Sequence, residues 1–213
     1  MDAGAPAPGV IAGAAEIIRS GGVVIFPTTG LYGLGADAGQ ADAVNRLYTL
    51  KGRPEDNPIL VLIPHRRVLD SLVRDVPDAA AALMDRFWPG GLTLVLAARP
   101  DVPALLTAGT GRLGVRLPAH PVAAALVAAV GGPITGTSAN RSGEPGCASV
   151  SDLPAELIDG VDLVLDAGPL RGGPGSTVVD LTVDPPAVRR AGAVPTAAIR
   201  KELDGRKLVD IHA

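Results

Sequence analysis

Two cations spaced Lys51-x-Arg53 open the octapeptide KGRPEDNP (51–58), which continues through Pro54 to Asn57 and Pro58. Lys51 is one of only three lysines, beside Lys201 and Lys207, against sixteen arginines. An ammonium acts as a compact point charge and a guanidinium as a planar fork, so the pair suits phosphate or carboxylate. GTSAN (136–140) places Ser138 and Asn140 on a sharp turn. There hydroxyl, amide and backbone N–H groups either converge on an anion or satisfy the turn's own backbone. GPLRGGPGSTVVD (168–180) carries four glycines ahead of Ser176, which suits close approach of backbone to a phosphate and equally suits a plain loop. Arg116 lies in GVRLP, and Arg189 and Arg190 in AVRRAG. Neighbours on a strand face opposite ways, so only one of Arg189 and Arg190 is expected in a site. Together these side chains suit a polyanion carrying a planar base, of which a nucleoside triphosphate is the simplest.

Other chemistries fit less well. GLGADAG (33–39) spaces its glycines G-x-G-x-x-x-G, one residue longer than a dinucleotide fingerprint, and no G-x-x-x-x-G-K-[ST] occurs. GTSAN has Asn140 where a nucleophile elbow needs glycine. Three scattered histidines and the single Cys147 make no zinc spacing, and one cysteine forms no internal disulfide.

The elements that must position these residues alternate along the chain. VIAGAAEIIRSGG reads as a helix with Val10, Ala14, Ile17 and Ile18 on its apolar face and a glycine stop. VVIFP is a short strand, TTGLYGLG a turn, and ADAVNRLYTLK a helix. Pro54 disfavours helical geometry at Arg53, so Lys51 and Arg53 fall at that helix's end or just past it. PILVLIP reads as a buried strand, followed by helices around 66–74 and 78–87 and a strand at 91–97. In GVRLP, Val115 and Leu117 share one face and Arg116 takes the other. HPVAAALVAAVGG is a helix, PITGTSANRSG a strand entering a turn, VDLVLDAG, GSTVVDLT and AVRRAG are strands, and PTAAIRKEL a last helix. This mixing predicts one α/β domain with a mixed sheet.

With 47% hydrophobic residues the 213-residue chain has material for a substantial core, and its net charge of −3 gives no overall pull toward nucleic acid. The start, MDAGAPAPGV, lacks a basic leader, and apolar runs such as 121–130 are about half a membrane span. A cytoplasmic protein without membrane association is expected.

Six blocks in order carry a resemblance: FPTTGLYGLGADA (26–38), KGRPEDNP (51–58), FWPGGLTLVL (87–96), GVRLPAHP (114–121), TSANRSGEP (137–145) and STVVDL with VRRAGAV (176–194). Over roughly residues 9–200 the chain resembles the YrdC-like family of L-threonylcarbamoyladenylate synthases, in its single-domain form over 1–213. The resemblance implies a YrdC-like α/β fold, a twisted, open, mixed sheet with flanking helices and a large concave cavity. It also implies conversion of L-threonine, bicarbonate and ATP to threonylcarbamoyl-AMP and pyrophosphate. A partner tRNA threonylcarbamoyl transferase then modifies adenosine 37 of ANN-decoding tRNAs, with room for weak tRNA binding by this chain.

Carried over by position, the resemblance assigns Lys51 and Arg53 to catalysis. It assigns Lys51, Arg53, Asn57, Ser138, Asn140 and Arg190 to ATP, and Gly30, Arg116 and Ser176 to threonine. Mg²⁺ is expected with the nucleotide, held by no protein side chain, and no tightly bound organic cofactor is implied. The chain departs from the family pattern at Gly30, which has no hydroxyl, and at Leu62, Arg112 and Gly136. Those departures keep open a paralogue that adenylates a different carbamate or carboxylate. A non-catalytic RNA-binding module is a third reading, for which aromatics at 2% are poor stacking material.

Overall fold

Backbone pairing in the computed structural model, which describes residues 8–203 and 207–211, divides the strands between two mixed sheets. The strands are β1 (Val24–Pro27), β2 (Tyr32–Gly35), β3 (Val61–Leu62), β4 (Leu92–Ala97), β5 (Arg112–Arg116), β6 (Ile134–Thr135), β7 (Thr137–Ser138), β8 (Leu163–Val164), β9 (Thr177–Asp180), β10 (Ala187–Arg190) and β11 (Val209–Asp210). The helices are α1 (Pro8–Arg19), α2 (Ala41–Lys51), α3 (Leu69–Leu72), α4 (Asp78–Phe87), α5 (Ala104–Thr107), α6 (Pro121–Val130), α7 (Ala155–Gly160) and α8 (Thr196–Glu202). The smaller sheet runs β7-β2-β1-β8, and the larger runs β11-β10-β9-β4-β5-β3-β6.

The mixed α/β class read from the sequence holds, with two mixed sheets where one was expected and with local differences. TTGLYGLG is not all turn, because Tyr32–Gly35 pairs antiparallel with β1. Its glycines answer a packing need: the Phe26 ring lies over Gly33 and Gly35, and a Cβ on Gly35 would come within 2.7 Å of that ring. Glycine in a strand commonly marks such an approach. PILVLIP contributes only the two-residue β3, and the helix expected over 66–74 is a 3₁₀ turn followed by the four-residue α3. In α1 the buried face is Ile11, Ala14, Ala15 and Ile18, whereas Val10 is exposed. Ala14 and Ile18 of the predicted stripe are buried as expected, while Ile11 and Ala15 take the places of Val10 and Ile17, because neighbouring sets repeat at helical spacing and tertiary packing chooses between them.

Helices α1 and α6 pack together with Phe26, Leu62 and Ile134 in one apolar cluster, while α2 and α4 pack into a larger one built on the opposite strand faces. Helix α2 ends at Lys51, where Gly52 takes the left-handed conformation (φ 55°, ψ 38°) that lets its N–H reach back to the carbonyl of Thr49. The N-terminal stretch read for a leader lies mostly outside the described residues.

Candidate functional site

Alternation along the larger sheet builds one face of a cavity of about 660 Å³, within the range of small-molecule sites. On β5, Arg112, Gly114 and Arg116 face the cavity while Leu113 and Val115 are buried on the other side. The expectation that Val115 and Arg116 take opposite faces is met. Thr93 and Val95 of β4 and Ser176, Val178 and Asp180 along β9 continue the same period of two. Phe26, Tyr32, Gly33 and Ser138 of the smaller sheet line it from the other side.

Five arginines, Arg53, Arg112, Arg116, Arg189 and Arg190, share this cavity with one carboxylate, Asp180. Arg189 and Arg190 both reach it, against the expectation that strand alternation admits one. The register between β10 and β9 shifts between Val188 and Arg190, so Val188 pairs with Val179 and Arg190 with Val178. A bulge of this kind re-aims a side chain that regular pleating would turn away.

Arg190 donates through Nε and Nη2 to the Ser176 carbonyl at 3.0 and 2.9 Å, and through Nη2 to Ser176 Oγ at 3.1 Å. Ser176 Oγ is also 2.7 Å from Thr93 Oγ1. Arg116 has a fully shielded Nε with no hydrogen-bond partner among the described residues. Burial, and then the neighbouring Arg190, lower its pKa to about 10. Burial and Arg190 also press down on Arg53, whose guanidinium donates to Asn57 O, Asn57 Oδ1 and Pro58 O at 2.9, 2.6 and 2.7 Å. Cations held this close without compensating carboxylates disfavour their own charge, and an incoming anion relieves the conflict.

Three of the sequence-assigned residues stand elsewhere than expected. Lys51 is 2% exposed, is not part of the cavity lining, and donates its ammonium to the backbone carbonyls of Ser138 and Asn140. Asn140 is also off the lining, and its amide nitrogen donates to the carbonyls of Arg141 and Glu144 at 2.7 Å each. The two readings of the S-x-N turn thus divide between its residues, with Ser138 facing the cavity and Asn140 serving the turn. Gly30 is flanked by lining residues Thr28 and Leu31 but lines nothing itself. A Cβ there would collide with the Gly172 carbonyl oxygen.

Sequence reasoning missed Asp180, Thr93 and the joint placement of Arg112 and Arg189. Asp180 was within reach, since Ser176, Val178 and Asp180 alternate in STVVD. Asp180 is 2% exposed and accepts from Arg189 Nε and Nη2 at 3.1 and 2.8 Å and from Thr182 N and Oγ1 at 2.9 and 2.6 Å. Burial pushes its pKa up, yet the Thr182 donors and the Arg189 guanidinium outweigh that and hold the carboxyl below its ordinary range.

Fold and cavity together define a mixed α/β protein with an arginine-lined cleft between two sheets. The family model described as telomere recombination, Sua5/YciO/YrdC, matches residues 16–192, and the chain belongs to that family. It is 42% identical over 188 residues to the threonylcarbamoyl-AMP synthase of Pyrococcus abyssi, covering 88% of this chain and 55% of that protein. It is likewise 42% identical over 185 residues to the Bacillus subtilis threonylcarbamoyl-AMP synthase, covering 86% and 54%. The chain therefore spans about half the length of these two relatives. The crystal structure of P. abyssi Sua5 complexed with L-threonine superposes with a TM-score of 0.90 at 40% identity, covering 95% of this chain and 59% of that one.

Proposed function

We propose that the chain is a single catalytic domain, with its core at about 9–200, that forms threonylcarbamoyl-AMP and pyrophosphate from L-threonine, bicarbonate and ATP. The observation that carries this reading is the cluster Arg53, Arg116 and Arg190 beside Ser138 and Ser176 in one cavity. It is supported by membership of a family whose relatives carry that activity in their names.

Threonine's amine adds to bicarbonate with loss of water to give an N-carboxylate, whose oxygen attacks the α-phosphorus while the bond from phosphorus to the oxygen bridging the β-phosphate breaks and pyrophosphate leaves. Both partners are anionic, so the work is alignment and charge neutralisation, and no covalent protein nucleophile is needed. Arg116, with its unpartnered Nε, takes the threonine carboxylate, and Ser176, fixed by Arg190 and Thr93, lies alongside. Arg53, with Asn57, and Arg190 take the nucleotide phosphates, with Ser138 donating from the turn. Lys51 acts through that turn.

Mg²⁺ enters with the nucleotide in this reading. Among the described residues no group of three or more His, Cys, Asp or Glu is placed to hold a metal, and both oxygens of Asp180 are already engaged. The ion is assigned to the ATP phosphates as part of the substrate. The reaction is placed in the cytoplasm, with the product passed to a tRNA threonylcarbamoyl transferase for adenosine 37 of ANN-decoding tRNAs. Among the described residues no helix is long and apolar enough to cross a membrane.

The test is pyrophosphate release with ATP, Mg²⁺, bicarbonate and each of several amino acids. Strongest release with threonine, abolished in Arg53→Ala, is expected. Release favouring another amino acid selects the paralogue reading, to which the apolar Leu62 and Gly136 in the cavity lining give some footing. Salt-sensitive RNA binding without turnover selects the binding-module reading.

A further inference from the structure

On the concave face of the larger sheet Arg116 and Arg112 stand at the two ends of β5, with Ser176 just ahead of β9 and Asp180 at its end. At one end Thr93 of β4 joins its hydroxyl to that of Ser176, with Arg190 over Ser176. Between the ends stand Gly114 on β5 and Val178 on β9, and Val95 of β4, paired with Gly114 and Asp180, is apolar as well. At the other end stand Arg112 and Asp180, joined by Arg189 from β10. Arg112 and Arg116 are four residues apart on one face of one strand, so their Cα atoms are about 13 Å apart at the ordinary strand rise. The cavity thus has two cationic poles separated by an apolar strip.

The second pole is only half neutralised. Asp180 engages Arg189 through Nε and Nη2 and lies 3.5 Å from Arg112 Nη1. Its other oxygen is taken by Thr182. Two guanidinium groups therefore face one carboxylate. Among the described residues no hydrogen bond is made by Arg189 Nη1 or by any guanidinium nitrogen of Arg112, and the side chains are 34% and 44% exposed. A buried carboxylate beneath two guanidinium groups restricts their motion while leaving donors outward, which is how arginine is preorganised for a planar oxyanion.

The geometry points to a second oxyanion subsite, made by Arg112 and Arg189 on the Asp180 anchor and distinct from the Arg53, Arg116 and Arg190 cluster. It takes a phosphate or carboxylate group at the far end of a ligand that spans the apolar strip. The subsite stands on the cavity's layout, and only the identity of its occupant rests on the adenylation reading.

Calorimetric titration of the protein with inorganic pyrophosphate, without turnover, tests it. Two equivalents are expected for the unaltered chain, and one for the double variant Arg112→Gln/Arg189→Gln, whose remaining equivalent shows that the cavity is still folded. Arg53→Gln should weaken the other equivalent at least tenfold and spare this one. A single equivalent in the unaltered chain, two retained in the double variant, or loss of both together overturns the proposal. Displacement of the Arg112-dependent equivalent by a β,γ-imido analogue of ATP identifies a nucleotide phosphate as its occupant, and displacement by malonate alone identifies a carboxylate. Because no chemistry is involved, failure here leaves the synthase reading standing, and absence of threonine-dependent turnover leaves the subsite standing.

Discussion

The Lys51 ammonium lies 2.5 Å from the carbonyl oxygen of Ser138 and 2.6 Å from that of Asn140, and Ser142 N donates back to the Lys51 carbonyl at 2.8 Å. The last residue of α2 thus grips the turn after β7 with both its side chain and its backbone. A cation that looked made for a ligand is engaged with main chain, and Ser138 is left facing the cavity with its direction set by that grip.

Replacing Lys51 by Met should leave the Ser138 and Asn140 carbonyls without their donor. A loss of about 2 kcal/mol is expected in denaturant unfolding. The larger effect should fall on turnover, about a hundredfold in kcat/KM, because a misplaced Ser138 spoils alignment. Lys51→Arg should not rescue it, since a planar guanidinium does not reproduce the compact ammonium that two converging carbonyls hold in a buried site. A rescue would show that charge alone matters.

The pH dependence of activity and of stability should run in opposite directions above pH 8. Burial, helped by the nearby Arg53, lowers the Lys51 pKa from 10.5 to about 8. Between those values the unfolded chain binds the proton that the folded chain has released, so this group's contribution to stability rises with pH. Over the same interval the turn loses its charged clasp. Turnover measured from pH 7 to 9.5 should fall with a midpoint near 8 while the melting temperature shows no parallel drop.

Gly30→Ala should loosen the loop that closes one side of the cavity. Gly172 N donates to Gly30 O at 2.9 Å, and a Cβ on residue 30 would press on the Gly172 carbonyl. Overpacking of this kind is destabilising by about 1–3 kcal/mol. Amide hydrogen exchange should accelerate over residues 168–175, and a threonine side chain at position 30 should do the same rather than add a substrate contact.

Much of this site was legible because strands write their faces into the sequence. The face of Arg116 could be read from alternation alone, and the position of Lys51 and Arg53 at a helix end followed from Pro54. What could not be read was whatever depends on a neighbour remote in the chain. The bulge that admits both Arg189 and Arg190 is set by pairing with β9. The Lys51 side chain folds away from the cavity toward a turn almost ninety residues on. The glycines of β2 looked like a loop until Phe26 was seen lying on them.

The cavity wall beside Arg116 offers a test of coupling between two positions. Leu62 is the strand partner of Arg116, and Gly136 N donates to the Leu60 carbonyl at 2.8 Å. A Cβ on Gly136 would come 2.7 Å from Leu62 Cγ and 2.8 Å from Leu60 Cδ1, so the absent side chain at 136 makes room for the two leucines. Gly136→Ala alone should destabilise by about 1–3 kcal/mol through overpacking, and Leu62→Ala alone by about 2–5 kcal/mol through the void it leaves. Since each change relieves the strain or fills the void created by the other, the double variant should be more stable than the sum of the two predicts, by at least about 0.5 kcal/mol. Simple additivity in urea unfolding would show that the two positions do not share this wall. If they do, the KM for the amino acid should shift more than that for ATP in each single variant and return partway in the double, because the wall stands next to the guanidinium assigned to the amino-acid carboxylate.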